Sequence, residues 1–260
     1  MNILDTIVAN KKKEVEQRKS QVTIKQLAGS LLYERTCFSI TESLNKKGAS
    51  GIIAEHKRKS PSKGIINDRL HVGEVVASYQ NNGASAVSIL TDQVYFGGSD
   101  EDVLLSREIL TIPILRKEFI IDEYQLHEAK SIGADVILLI AACLQPKEVK
   151  HFSSVANALG LEVLLELHDE EEFDHLCEGI QLVGINNRSL KTFDVDIDRS
   201  LKMAEMLPRE KIKVAESGMD HPSQIIRFKQ HGYKGFLIGE SFMKSSDPGK
   251  ALASFLNPIQ

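Results

Sequence analysis

"IIAEHKRKSPSKG", residues 52–64, starts as a buried strand and finishes as something else. Ile52, Ile53 and Ala54 make an apolar entry, and then Glu55, Lys57, Arg58 and Lys59 stand where the strand should end. Ser60-Pro61-Ser62-Lys63-Gly64 follows with the composition of a loop. Side chains two apart share a strand face, so Glu55 and Lys57 point the same way. A strand ending inside a core has no use for that pair; a strand opening into a site does.

The same design recurs down the chain. Counting "GIIAEH", the apolar, β-rich runs are "AVSILTD", "IPILRKEF", "ADVILLIAA", "LEVLLELH", "LVGINN", "KVAESG" and "GFLIGE", eight in all. Their starts lie roughly 20 to 35 residues apart, the spacing of strands that each carry a helix back across their outside. The runs are nearly continuous rather than alternating, which implies burial on both faces, as in a parallel sheet. Helical patterns fill gaps between them: "VGEVVASYQNNG", "DEYQLHEAKSIG", "PKEVKHFSSVANALG", "DEEEFDHLCEG" and "HPSQIIRFKQHG". Their closing glycines fit helix stops. Eight such units predict an α/β fold of the (β/α)8, or TIM-barrel, type rather than an open doubly wound sheet.

Residues 1–48 have a different period and are expected to form an N-terminal helical extension to a barrel of residues 49–260. Ile3, Leu4, Ile7 and Val8 recur at helical spacing and Val15 continues that face. Leu27, Leu31 and Leu32 suggest a second helix; "FSITESLNKKG" suggests a third, stopped by Gly48. The "KKK" at 11–13, beside Glu14 and Glu16, reads as a solvated helix face.

Composition narrows the function classes. The 260 residues are 42% hydrophobic and 26% charged, with net charge −4. That charge, with dispersed basic residues, argues against nucleic-acid binding. No apolar stretch approaches the ~18 residues of a membrane span, and the N-terminus lacks the apolar core of a signal peptide. Cys37, Cys143 and Cys177 are odd in number and far apart, which fits small buried hydrophobes in a reducing cytosol. A cytoplasmic protein is expected.

Catalytic residues of this architecture sit at the C-terminal ends of strands. Read that way, the first strand offers Glu55 and Lys57, the third Lys117, the fifth Glu166, the sixth Asn186 and Arg188, and the seventh Glu216 and Ser217. One strand-end lysine is more often a surface ion pair than a catalyst; recurrence in five units favours a site. "AESGM" and "LIGES" place Gly218 and Gly239 at the last two strand ends, where a ligand can approach the backbone closely. Loops after the seventh and eighth strands are the frequent phosphate site of the fold, and Ser241 is expected to open a short helix suited to an anion. The histidines show no metal-ligand spacing such as H-E-x-x-H, and no Walker loop or G-x-S-x-G occurs. His56 and His168 read as out-facing or packing residues. No metal and no cofactor are expected.

Eight ordered motifs then point to a family: "IIAEHKRKSPSKG", "LTDQVYFGGS", "PILRKEFIIDEYQ", "GADVILLIAA", "LLELHDEEE", "GINNRSLKTFDVD", "VAESGM" and "FLIGESFM". Together they resemble the indole-3-glycerol phosphate synthase family over nearly the whole chain. The resemblance implies a barrel with a helical extension near its mouth. It also implies a lyase of tryptophan biosynthesis acting on a small phosphosugar, 1-(2-carboxyphenylamino)-1-deoxyribulose 5-phosphate, with loss of carbon dioxide and water. The family's catalytic residues match here as Glu55, Lys57, Lys117, Glu166, Asn186 and Ser217, with Arg188 a substrate contact. Lys117 is expected to act as acid and Glu166 as base, with Lys57 or Lys117 the acid of dehydration and Glu55 and Asn186 orienting the acids. Ser60, Glu216, Ser217, Gly218, Gly239 and Glu240 are expected around substrate and phosphate, and Phe96 and Phe119 against the aromatic ring. His56 departs from the family, which is expected to carry an apolar or aromatic residue there. Alternatives are another phosphosugar barrel such as phosphoribosylanthranilate isomerase, a Schiff-base aldolase using one lysine as nucleophile, and a non-catalytic phosphosugar-binding module. Protein partners stay open.

Overall fold

Each of the eight apolar runs contains one strand of a closed parallel barrel. In the computed structural model, which describes residues 3–189 and 194–259, these are β1 (Ile52–His56), β2 (Ala86–Leu90), β3 (Ile114–Lys117), β4 (Val136–Ile140), β5 (Glu162–Leu167), β6 (Leu182–Asn186), β7 (Ile212–Glu216) and β8 (Tyr233–Ile238). Consecutive strands pair, and β8 closes on β1 with Phe236 beside Ile52. The "GINNRSLKTFDVD" motif is described except for residues 190–193, which lie outside the described residues.

Both faces of the strands are buried, which explains the continuous apolar runs. Ile53, Leu115, Leu138, Leu164, Leu182, Val214 and Leu237 fill the barrel interior. Their neighbours Ile52, Ala54, Ile137, Val163, Ile185 and Ala215 pack outward against the helices. Burying one such side chain fully is worth about 1.5–3 kcal/mol, so sliding a strand by one residue exchanges two packed layers at once.

The first 48 residues supply helices α1 (Ile3–Gln21), α2 (Ile24–Ala28) and α3 (Ile40–Asn45). They serve opposite ends of the barrel. Ile40 and Leu44 of α3 join the interior cluster, and the carboxylate of Glu162, at the start of β5, accepts the Ile40 and Thr41 N–H groups at 2.7 and 3.0 Å. That helix plugs the end away from the strand C-termini, whereas α1 lies at the mouth.

One expectation fails on α1. Its buried stripe is Leu4, Ile7, Lys11 and Val15. Lys11 is only 1% exposed, with its Nζ 2.7 Å from Glu14, 2.9 Å from Asp92 and 3.0 Å from Glu118. The "KKK" run is therefore not uniformly a solvated face: Lys12 and Lys13 are exposed, but Lys11 completes the 4-7-11-15 stripe and is held by carboxylates from the ends of β2 and β3.

Outside the barrel lie α4 (Val72–Asn81), α5 (Gln93–Phe96), α6 (Asp100–Ile109), α7 (Tyr124–Ser131), α8 (Pro146–Ala158), α9 (Ile197–Met206), α10 (Pro222–Gln230), α11 (Glu240–Met243) and α12 (Pro248–Leu256). Gly83, Gly133, Gly160 and Gly232 leave α4, α7, α8 and α10 with positive φ, as their placement implied. The helix expected over "DEEEFDHLCEG" is only a 3-10 turn, Glu170–His175. Its Glu172 carboxylate turns back to accept the His168 and Asp169 N–H groups, and the segment has no fully buried stripe to extend a helix. The three cysteines carry no disulfide and are half-buried rather than buried. Among the described residues no helix is long and apolar enough to cross a membrane.

Candidate active site

On four of the strands the inward-facing positions are apolar until the last, where they turn polar. Glu55 follows Ile53, Lys117 follows Leu115, Glu166 follows Leu164, and Glu216 follows Val214. Register then sets Asn186 beside Glu216 and Ile140 beside Glu166. The result is a cavity of about 760 Å³ at the C-terminal end of the barrel. Every residue expected at the site lines it: Glu55, Lys57, Ser60, Phe96, Lys117, Phe119, Glu166, Asn186, Arg188, Glu216, Ser217, Gly218, Gly239 and Glu240.

At the centre, the Lys117 ammonium lies 3.0 Å from Glu166 Oε2 and 2.5 Å from Glu216 Oε2. Burial alone would weaken the ammonium, but Glu166, Glu216 and Glu55 outweigh it and raise its pKa. The two carboxylates diverge. Burial pushes Glu166 up, yet Lys117, His168 and the Asn186 amide (2.9 Å from Oε1) reverse this and hold it well below the usual range. Burial dominates at Glu216; Lys117 offsets part of it, Glu166 adds repulsion, and the pKa is pushed up to about 7. One charged acid, one ionised base and one carboxylate near its titration point thus share a single cluster.

Two of these groups have definite partners within the protein. Glu216, expected among substrate and phosphate contacts, turns its carboxylate inward to Lys117. Asn186, expected to orient an acid, donates to Glu166, which in turn holds Lys117. The glycines also have an unexpected use. A Cβ on Gly184 would lie 2.1 Å from Glu216 Oε1, and one on Gly239 would lie 2.5 Å from Glu55 Oε1. These positions hollow out room for the carboxylates, whereas Gly239 was read only as space for a ligand. At Gly218 a Cβ would meet Val195 at 2.4 Å.

On the rim, Lys57 Nζ pairs with Glu55 Oε1 at 2.7 Å. Lys59 leaves this group and donates to the Val94 carbonyl at 2.7 Å. The Glu240 carboxylate turns to Lys244 at 2.7 Å. Burial raises its pKa, but Lys244, Lys57 and Lys63 together outweigh burial and bring it below the ordinary value. Lys63 and Lys244 line the cavity too, and neither was picked out from sequence. The short helix α11 begins at Glu240, one residue ahead of the expected Ser241. Ser217, with φ 67°, is the sole non-glycine of positive φ among the described residues. The Asn187 amide holds its carbonyl at 2.7 Å, and such a conformation costs roughly 1–2 kcal/mol. The Arg188 N–H donates to Asn186 Oδ1 at 3.0 Å, which ties Arg188 to the end of β6.

The opposite wall is apolar. Phe96 and Phe119 lie with ring centroids 6.0 Å apart, joined by Leu138, Ile140 and the α1 residues Ile3, Leu4 and Ile7.

Histidines 56 and 168 separate here. His56 is buried in the outer layer with its pKa lowered to about 4 by burial and then by Arg58. His168, expected to face out or pack, lines the cavity with Nε2 3.2 Å from Glu166 Oε1. The period-two rule that unites Glu55 with Lys57 applies equally to Glu166 and His168, and was the signal available. Among the described residues no group of three His, Cys, Asp or Glu side chains is arranged to hold a metal ion.

Comparison with known proteins agrees with this geometry. A family model described as indole-3-glycerol phosphate synthase matches residues 4–255. A protein of that name from Bacteroides thetaiotaomicron is 46% identical over 259 residues, covering 100% of this chain and 99% of that one. One from Salinibacter ruber is 40% identical over 256 residues, covering 97% and 94%. Among solved structures, a mutant tryptophan synthase alpha-subunit from Pyrococcus furiosus superposes with TM-score 0.60 at 13% identity, covering 80% of this chain and 96% of that one. This last likeness is one of fold alone. With the family model spanning nearly the full length and relatives this close over their whole length, the chain belongs to the indole-3-glycerol phosphate synthase family.

Proposed function

We propose that the chain converts 1-(2-carboxyphenylamino)-1-deoxyribulose 5-phosphate to indole-3-glycerol phosphate. The observation that carries this reading is the Lys117–Glu166–Glu216 cluster, set between an aromatic wall and a lysine-bearing rim. The aromatic ring of the substrate packs on Phe96, Phe119 and the apolar residues of α1. We take residues 1–48 as an extension that completes the site and 49–260 as the barrel.

The aromatic carbon that carries the carboxylate attacks the sugar ketone. Negative charge grows on the ketone oxygen, and Lys117 protonates it. Carbon dioxide leaves and restores the benzene ring. The new hydroxyl then departs as water with a proton from Lys57, held by Glu55, while Glu166 takes the proton whose loss completes the indole. Glu216, near neutrality, returns a proton to Lys117. Binding of the remote phosphate holds the bent, reactive conformer.

The phosphate lies at the ends of β7 and β8, on the backbone of Gly218, Gly239 and Glu240, with Ser217, Ser60 and Arg188 around it. Lys57, Lys63 and Lys244 line this side of the cavity, with Glu55 and Glu240 balancing two of them, which supports the placement. Crystals soaked in sulfate should show an anion there. Anion density elsewhere, with water at this position, would count against it.

The reaction has a direct test. The chain contains no tryptophan and five tyrosines, whereas the product carries an indole that the substrate lacks. Mixing protein and substrate should give steadily rising indole fluorescence, excited to the red of tyrosine and unaffected by excess EDTA. Substrate binding without that signal would leave a phosphosugar-binding module as the better account.

A further inference from the structure

Glu166 has a neighbour the reaction scheme does not use. His168 follows β5 directly, and its side chain is 4% exposed. Its backbone N–H donates to Glu172 Oε2 at 2.5 Å. Its Nε2 lies 3.2 Å from Glu166 Oε1, the oxygen that also accepts from Asn186. Neither ring nitrogen has an aligned hydrogen bond, although both are buried. A buried imidazole is costly unless it is paired, and the Glu166 carboxylate 3.2 Å away is the partner within reach, which favours the charged ring.

We propose that His168 is a positioning residue whose imidazolium charge sets the proton affinity of Glu166. This rests on the reading of Glu166 as the base. The groups facing the imidazole are Glu166 on its own strand, Glu172 from the 3-10 turn, Glu216 from β7, and Lys117 from β3 on the far side of Glu166. Cys143 also lies near Glu166, with its thiol kept neutral because burial pushes its pKa up to about 12. Burial favours neutral imidazole, but Glu166, Glu172 and Glu216 outweigh it and the His168 pKa is raised. The ring is thus charged to higher pH than an ordinary histidine. While charged, it keeps Glu166 ionised on the acid side, so the base stays available as pH falls. As pH rises through the pKa of the ring, the charge goes and Glu166 becomes a stronger base.

His168→Gln keeps a donor in place and removes the charge. Its acid limb of kcat against pH should move up by about one unit, so that activity on that limb falls roughly tenfold relative to wild type. An acid limb that superposes on the wild-type curve, with only Tm or KM altered, would overturn the proposal. A second measurement needs neither that variant nor turnover. In substrate-free protein with 15N-labelled histidine, His168 should titrate above the ordinary value of about 6.5 and drop by about one unit in Glu166→Gln. An ordinary titration that is unchanged in Glu166→Gln would sink it. The base reading fails separately, if Glu166→Gln turns over at the wild-type rate.

Discussion

Replacing Lys117 by methionine should lower kcat by about 10²–10⁴-fold with little change in KM. In the proposed reaction the charge that Lys117 neutralises appears in the transition state, so its loss falls on turnover rather than on binding. The phosphate and ring contacts proposed above lie elsewhere in the cavity. The substitution also acts on the base. Glu166 and Glu216 both lean on the same ammonium, at 3.0 and 2.5 Å. Without it, two buried carboxylates face each other, and at least one takes up a proton near neutrality. Glu166 would then be partly protonated, and acid and base would fail together. Lys117→Met combined with Glu166→Gln should therefore be far less than multiplicatively worse than either alone. Steady-state kinetics on the three variants checks this. A Lys117→Met protein with wild-type kcat and a raised KM would make Lys117 a binding residue.

The second large effect is on stability. Lys11→Met should cost about 3–5 kcal/mol, because it strips a buried ion group of its cation and leaves Asp92 and Glu118 uncompensated. For a domain of this size that corresponds to a Tm lower by on the order of 10 °C. Lys12→Met, one residue along the same helix on its exposed side, should stay within about 0.5 kcal/mol of wild type. The sign with pH follows from the pKa. Burial lowers it, but Glu118 and Asp92 outweigh burial and raise it above the ordinary lysine value. The contribution of Lys11 is thus fully present below the unfolded pKa and is lost only as pH rises through the folded one. The penalty should then be the same at pH 6 and pH 8. Equal melting of the Lys11 and Lys12 variants would show that the buried cluster contributes nothing net. The cluster also joins α1 to residues flanking the catalytic strand, since Glu118 follows Lys117 directly. Loosening it should free the apolar wall formed by Ile3, Leu4 and Ile7.

The architecture could be read from the chain because it depends on local pattern. Continuous apolar runs such as "ADVILLIAA" require burial on both faces, and eight of them at barrel spacing leave little choice of topology. The polar strand ends were legible for the same reason: Glu55, Lys117, Glu166, Asn186 and Glu216 interrupt apolar runs where a strand in this fold meets its mouth. What could not be read is which of these groups touch. Lys117 and Glu216 lie 99 residues apart in sequence, and only closure of the barrel brings them together. Lys11 looked solvated because its neighbours in sequence are charged; docking of α1 on the barrel placed that one position under the carboxylates of Asp92 and Glu118. Gly239 could be seen as a point of close approach, but not that the approaching atom belongs to the carboxylate of Glu55, and the room that Gly184 leaves for the Glu216 carboxylate had no signal in the sequence. The alternation of a strand fixes the face a side chain takes from its own sequence, whereas the charge it carries depends on burial and on partners from other strands, which exist only once the barrel has closed.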